Sequence, residues 1–200
     1  MSKKQAYHHG DLRQHLISAT RELVERKGAH AFSVSEAART AGVSSAAPYR
    51  HFKDRAAMLD AVAVDGHQRM AERFLDAVKD LSVGSIEAIT AIGLAYIHFA
   101  EQESGVFRVM FAADDATPED VSNASQCCYD IVQQHVAVYL GHGEPGPETR
   151  AATFPIWTFV HGIAFLTIDG KLSSKDDEIR DIPAIVRMGA ERLLGPAATG

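Results

Sequence analysis

Ten consecutive residues, Ser44-Ser45-Ala46-Ala47-Pro48-Tyr49-Arg50-His51-Phe52-Lys53, set hydroxyls, a phenol, an imidazole and two cations beside a pair of small methyl groups. These are the groups that bind phosphate oxygens and touch base edges, the methyls reaching the thymine methyl. Ser33 and Arg55 extend the inventory on either side. Tyr49 can donate to a phosphate or stack on the helices behind it. His51 can contact a backbone or close its own helix, and Ala46 and Ala47 can let a helix sit deep in a groove or pack inside. Phe52 reads as core. Lys3 and Lys4 read either as a solvated start or as an arm for the minor groove.

The charge distribution agrees with a polyanion at one end. Residues 1–60 hold ten Lys/Arg against six acids, a formal +4, and the rest holds ten against twenty, a formal −10, within a total of −6. A basic head on an acidic body is the electrostatic footprint of such a chain.

Other chemistries find little support. The ten histidines include a cluster at His8, His9 and His15 near Asp11, and Cys127-Cys128 is followed by His135. Adjacent cysteines on a helix point about 100° apart, which suits no zinc site, and Cys128 and His135 stand about 10 Å apart along the axis, too far for a nucleophile and its base. There is no Gly-rich phosphate loop, no G-x-S-x-G and no pair of catalytic carboxylates. The expectation is no enzyme, no metal and no cofactor. Two cysteines make no disulfide framework, and the start shows no hydrophobic segment behind its lysines, so a reducing cytoplasm is the expected home. The longest apolar stretch, Ala91 to Ala100, is interrupted by His98 and falls short of the about 20 residues that a membrane span needs. No membrane partner is expected. With 46% hydrophobic residues and a mean hydropathy of −0.10, the chain is globular.

The elements that must position these residues are helices. Leu12, Leu16, Ala19 and Leu23 recur at helical spacing from Asp11, and Gly28 closes that stretch. Ser33-Val34-Ser35-Glu36 is a capping box opening a short helix that ends at Gly42, with Val34 and Ala38 facing inward. Ser44 caps a second short helix to about His51, with Val43 plugging the angle between the two. Asp54 caps a long third one to about Leu81. Further helices are expected over 86–102, 105–112, 118–140, 147–169 and 182–194, with Gly141–Pro147 as a linker and a kink or break at Pro155. The fold class is all-α with about nine helices: a three-helix DNA-binding domain over 1–60, then a helical ligand-binding and dimerisation domain over 61–200. A capped helix, a Gly-Val turn and a second capped helix make a helix-turn-helix, whose second helix would enter the major groove. The Asp54 helix alone joins the two parts in this reading, with Gly66 softening it.

The stretch Ser33 to Leu59 resembles the DNA-binding domain of the TetR family of bacterial transcriptional regulators. The matching types are Ala38, Ala41-Gly42-Val43-Ser44, Tyr49, His51, Phe52 and Arg55, and the resemblance covers roughly residues 8–60. Arg55 stands where the family more often has Lys, and Pro48 falls in the recognition helix. Trp157, His161 and Gly162 resemble the W-x-x-x-H-G signature of one C-terminal subgroup. The resemblance implies a homodimeric regulator, released from a palindromic double-stranded operator by a small-molecule effector. Its DNA-binding residues would be Ser33, Ser44, Ser45, Ala46, Ala47, Tyr49, Arg50, His51, Lys53 and Arg55. It also implies an effector pocket in the C-terminal domain and a four-helix dimer interface from the last two helices. By position, Phe99, Phe107, Met110, Phe111, Cys128, Trp157 and His161 are candidates for the pocket, and the acidic domain disfavours an anionic effector. The alternative is an all-helical small-molecule-binding protein whose helix-turn-helix is only a packing motif.

Overall fold

The computed structural model describes residues 9–112, 117–172 and 181–196, with side chains from residue 12 onward. Among these residues the chain forms eight α-helices and one 3-10 helix: α1 (His9–Lys27), α2 (Val34–Thr40), the 3-10 helix Pro48–Arg50, α3 (Arg55–Val78), α4 (Ile86–Gln102), α5 (Ser104–Met110), α6 (Glu119–Tyr139), α7 (Pro147–Ile168) and α8 (Ile182–Leu194). They fall into two compact units. One holds the chain up to Gly66 and takes in Gly105–Ser122; the other holds His67–Ser104 and the chain from Asn123 onward.

In the first unit Leu16, Ala19 and Leu23 of α1 are buried, as their spacing requires, and meet Phe32, Ala37, Ala38, Phe52, Met58 and Val62 in one core. The capping box is present: the Ser33 hydroxyl accepts from the Glu36 N–H at 3.3 Å, and the Glu36 carboxylate accepts from the Ser33 N–H at 3.0 Å. The far end of α2 closes as a Schellman motif, with the Val43 N–H on the Ala38 carbonyl at 2.9 Å and the Gly42 N–H on the Arg39 carbonyl at 3.1 Å. Gly42 has φ +71°, a left-handed conformation that a side chain would strain. Ala37 and Ala38 face the core, while Val34 and Val43 are half-buried.

The second helix of the pair differs from expectation. From Ser44 the chain makes a turn and then the 3-10 helix, its bonds spanning three residues: Ala47 N–H to Ser44 at 3.0 Å, Arg50 to Ala47 at 3.2 Å and His51 to Pro48 at 2.9 Å. Pro48 is the cause. It has no N–H for the Ser44 carbonyl, and its ring crowds that carbonyl, so an α-helix cannot run through it. The Asp54 carboxylate then caps α3 by accepting from the Ala57 N–H at 2.9 Å.

The α5 helix belongs to the first unit although it follows α4 in sequence. The compact units therefore differ from a single boundary at residue 60, and the chain passes between them at three points, not through α3 alone. Gly66 makes room for α5: a Cβ there would lie 2.6 Å from the Met110 sulfur and 2.8 Å from Val106 Cγ1. Close approach, not flexibility, is what this glycine supplies. Gly66→Ala is expected to lower stability by about 1–3 kcal/mol through overpacking, a loss that thermal melting reads directly.

In the second unit α4 packs on α7 and α8, and α7 packs on α8. Ile89, Val136, Ile156, Ala190 and Leu194 form its central cluster. The α7 helix runs through Pro155 without a break, contrary to the expected interruption. The carbonyl that loses its helical donor belongs to exposed Ala151, while Ile156 and Val160 just beyond are held in the core. One further correction concerns α7. By length and composition it is apolar enough to cross a membrane, yet only 28% of its most apolar window is buried. The sequence reading looked for unbroken apolar runs and passed over a helix whose few polar residues are threonines, a histidine and a glycine.

Candidate functional site

Two side chains anchor the 44–53 segment from below. Pro48 and Phe52 are buried, the Phe52 ring lying beneath the Arg13 guanidinium at 5.2 Å. With these two turned in, the residues between and before them turn out. Ser44, Ser45 and Ala46 are exposed, Ala47 is half-buried, and Tyr49 is 60% exposed, so its ring does not stack on the bundle. Arg50 and Lys53 are exposed and His51, which closes the 3-10 helix, is half-buried. Ser33 sits exposed at the N-terminus of α2, and Arg39 at its other end has a side chain 79% exposed. The result is one surface carrying hydroxyls, a phenol and three cations around two methyls. Lys3 and Lys4 lie outside the described residues.

Arg55 has a different setting from the phosphate contact expected of it. Its Nε–H donates to the Phe32 carbonyl at 3.2 Å, its Nη2 donates to the Ala29 carbonyl, and the guanidinium lies 4.7 Å from the Phe32 ring centroid. It ties the α1–α2 loop to the start of α3. Nothing local in the sequence marks this, because the partners are 23 and 26 residues away.

In the second unit one hydrogen bond organises an aromatic cluster. The Tyr96 hydroxyl of α4 lies 2.6 Å from His161 Nδ1 of α7. Trp157, one turn before His161, stacks on it at 5.0 Å, and Phe165, one turn after, meets it edge-on at 4.8 Å. Phe74 of α3 lies 6.3 Å from Tyr96 on its other side. Burial holds the Tyr96 phenol well above its ordinary value and His161 below its own. Both are thus neutral near pH 7, so the phenol donates to Nδ1 and the imidazole carries its proton on Nε2.

The seven residues named for the pocket are divided by the fold. Phe99, Cys128, Trp157 and His161 stand in the second unit, and Phe107, Met110 and Phe111 in the first, where the two phenylalanine rings pack at 4.8 Å. Phe99 is fully buried under Arg69 at 5.5 Å and Arg73 at 5.0 Å. Both arginines pair with Glu103, Arg73 at 2.9 Å. Sequence reasoning left Tyr96, Phe74 and Phe165 off the site. The spacing of Trp157, His161 and Phe165 on one helical stripe could have found Phe165, whereas Tyr96 is joined to His161 only by the tertiary fold.

Cys128 donates its S–H to the His67 carbonyl at 3.1 Å, and burial pushes its thiol up to about 12. It is therefore expected to resist iodoacetamide at pH 7.5 while exposed Cys127 reacts. Mass-spectrometric mapping of the alkylated peptide checks this, and alkylation of Cys128 ahead of Cys127 would contradict it.

Residues 16–62 match the family described as bacterial regulatory proteins of the tetR family, and residues 89–188 match the tetracyclin repressor-like C-terminal domain. Among curated proteins none matches the sequence. A solved protein of unknown function from Rhodococcus sp. RHA1 is 29% identical, with a TM-score of 0.78 over 98% of this chain and 100% of that one. The fatty acid degradation regulator FadR from Bacillus halodurans is 16% identical, with a TM-score of 0.71 over 94% of this chain and 97% of that one. The transcriptional regulator FadR from Bacillus subtilis, solved in complex with stearoyl-CoA, is 16% identical, with a TM-score of 0.68 over 92% of this chain and 99% of that one. With the helix-turn-helix geometry in place and both parts of the chain matched, the protein belongs to the TetR family and is a DNA-binding transcriptional regulator, not an enzyme.

Proposed function

We propose that the protein is a ligand-responsive repressor that binds a palindromic operator as a homodimer in the cytoplasm. The observation that carries this reading is the outward-turned segment from Ser44 to Lys53, with Tyr49 60% exposed between two buried anchors. Ala46 and Ala47 meet base edges. Ser33, Ser44, Ser45, Tyr49, Arg50, His51 and Lys53 hold phosphates on either side.

The support for a dimer is the uncovered face of α7 and α8. Phe154, Thr158, Gly162 and Leu166 follow one another at four-residue spacing and are all exposed, Phe154 at 57%. A Cβ on Gly162 would meet nothing within 4 Å, and Met188 and Leu193 of α8 are also exposed. A second copy of this face covers it and places the two heads about a symmetry axis, reading half-sites about 34 Å apart or a multiple of that.

The effector site is assigned to the cluster around Tyr96 and His161, with Trp157 at its side. These rings are uncharged, and Arg69 and Arg73 are both engaged by Glu103, so the effector is an uncharged, largely apolar molecule. The fold shared with a regulator solved with stearoyl-CoA supports a ligand site within this domain type and carries nothing about the identity of the ligand here. Mobility-shift titration of the DNA flanking the protein's own gene tests the reading. A shifted complex holding an even number of protomers is expected, and no shift at micromolar protein would overturn it.

A further inference from the structure

The chain passes between the units at Gly66/His67 within α3, at Ser104/Gly105 at the start of α5, and at Ser122/Asn123 within α6. The second of these is tied on both flanks. On one flank Glu103, the C-cap of α4, is gripped by Arg69 and by Arg73. On the other flank Glu25 of α1 accepts from the Gly105 N–H at 3.1 Å and from the Val106 N–H at 2.7 Å. A carboxylate eighty residues away thus caps α5, satisfying two N–H groups at the positive end of that helix. The approach is close enough to demand glycine: a Cβ on Gly105 would lie 2.7 Å from the Val24 carbonyl oxygen and 3.0 Å from Glu25 Cα. Neighbouring Val24 is fully buried in the core of the head, and α1 packs on α2. A displacement of residues 103–106 is therefore delivered to α1 and, through it, to the helix-turn-helix.

We propose that Glu25 is the positioning residue that couples residues 103–106 to the DNA-binding head. The proposal rests on the reading of the protein as a ligand-responsive regulator and names the contact through which the response passes. A single crossing in α3 acts as a pivot. A second tie, off that axis, gives the motion a direction. Linkage is reciprocal, so DNA bound at the head must in turn change the α5 cap.

Hydrogen exchange of the Gly105 and Val106 amides, with and without a duplex enriched by the wild-type protein from a random-sequence pool, tests this without an effector. In the wild type, duplex is expected to slow these amides about fivefold or more. In Glu25→Ala they are expected to exchange about tenfold faster and to ignore the duplex, which still binds within about threefold of wild type. Should Glu25→Ala fail to fold, Glu25→Gln keeps the shape and an acceptor oxygen without the charge, and an intermediate loss of response is expected. The proposal is overturned if the wild-type amides do not respond to bound duplex, or if those of Glu25→Ala respond as in wild type. It is equally overturned if folded Glu25→Ala loses the duplex, since Glu25 would then belong to the DNA-binding structure itself. Enrichment of no duplex by the wild type would instead overturn the regulator reading, and this proposal with it.

Discussion

Ala46→Asp is expected to abolish operator binding while leaving the melting temperature within about 2 °C of wild type. Ala46 is exposed in the turn before the 3-10 helix, so an added carboxylate meets no core and leaves no buried group unsatisfied. Against DNA the same carboxylate faces phosphates and base edges with no cation of its own. Like charges brought together at an interface cost several kcal/mol, enough for a loss of more than about 100-fold. Ala47→Asp acts in the same direction, with some loss of stability because Ala47 is half-buried. Fluorescence anisotropy on a labelled duplex, paired with a thermal melt, separates the two effects. Undiminished binding by a folded Ala46→Asp protein would mean that this turn does not face DNA.

Arg55→Ala is expected to act on the fold of the head first. The substitution removes charge-assisted bonds to the Ala29 and Phe32 carbonyls and the stacking of the guanidinium on the Phe32 ring. Discounted for partial exposure, these amount to about 2 kcal/mol, or a melting temperature lower by roughly 4–8 °C. Arg55→Lys is expected to recover little, because a single ammonium does not reproduce the planar fork that reaches two carbonyls. A phosphate contact predicts something else: an unchanged melt and a salt slope of binding reduced by about one. Melting and salt titration of the same variant decide between the two roles.

Local chemistry made much of the head readable. The capping box at Ser33 and Glu36, the Gly42 turn and the Asp54 cap are each settled within a few residues, and all three are present as expected. The last helix falls where its pattern places it, over Ile182–Leu194. Proline was read in opposite directions at two places. At Pro48 the helical pattern outweighed the missing N–H in the reading, and the chain makes a 3-10 turn instead. At Pro155 the missing N–H outweighed the pattern, yet packing on α4 and α8 keeps α7 whole.

Contacts between distant residues were not readable in the same way. Glu25 on α5, Tyr96 on His161 and Arg55 on the α1–α2 loop join residues 80 or 81, 65, and 23 or 26 positions apart, and no spacing rule reaches that far. For the same reason the positions named for the pocket were sorted into two units by the fold, while their aromatic character was plain from the sequence.

The central claim is that the Ser44–Lys53 face reads DNA sequence. Its most direct test is the ratio of affinities, at physiological salt, for a duplex enriched by the protein and for a scrambled duplex of the same length and composition. A sequence-reading dimer predicts a ratio of about 10³ or more. Equal affinities, both falling steeply with salt, would contradict the account by leaving only phosphate attraction to a basic surface.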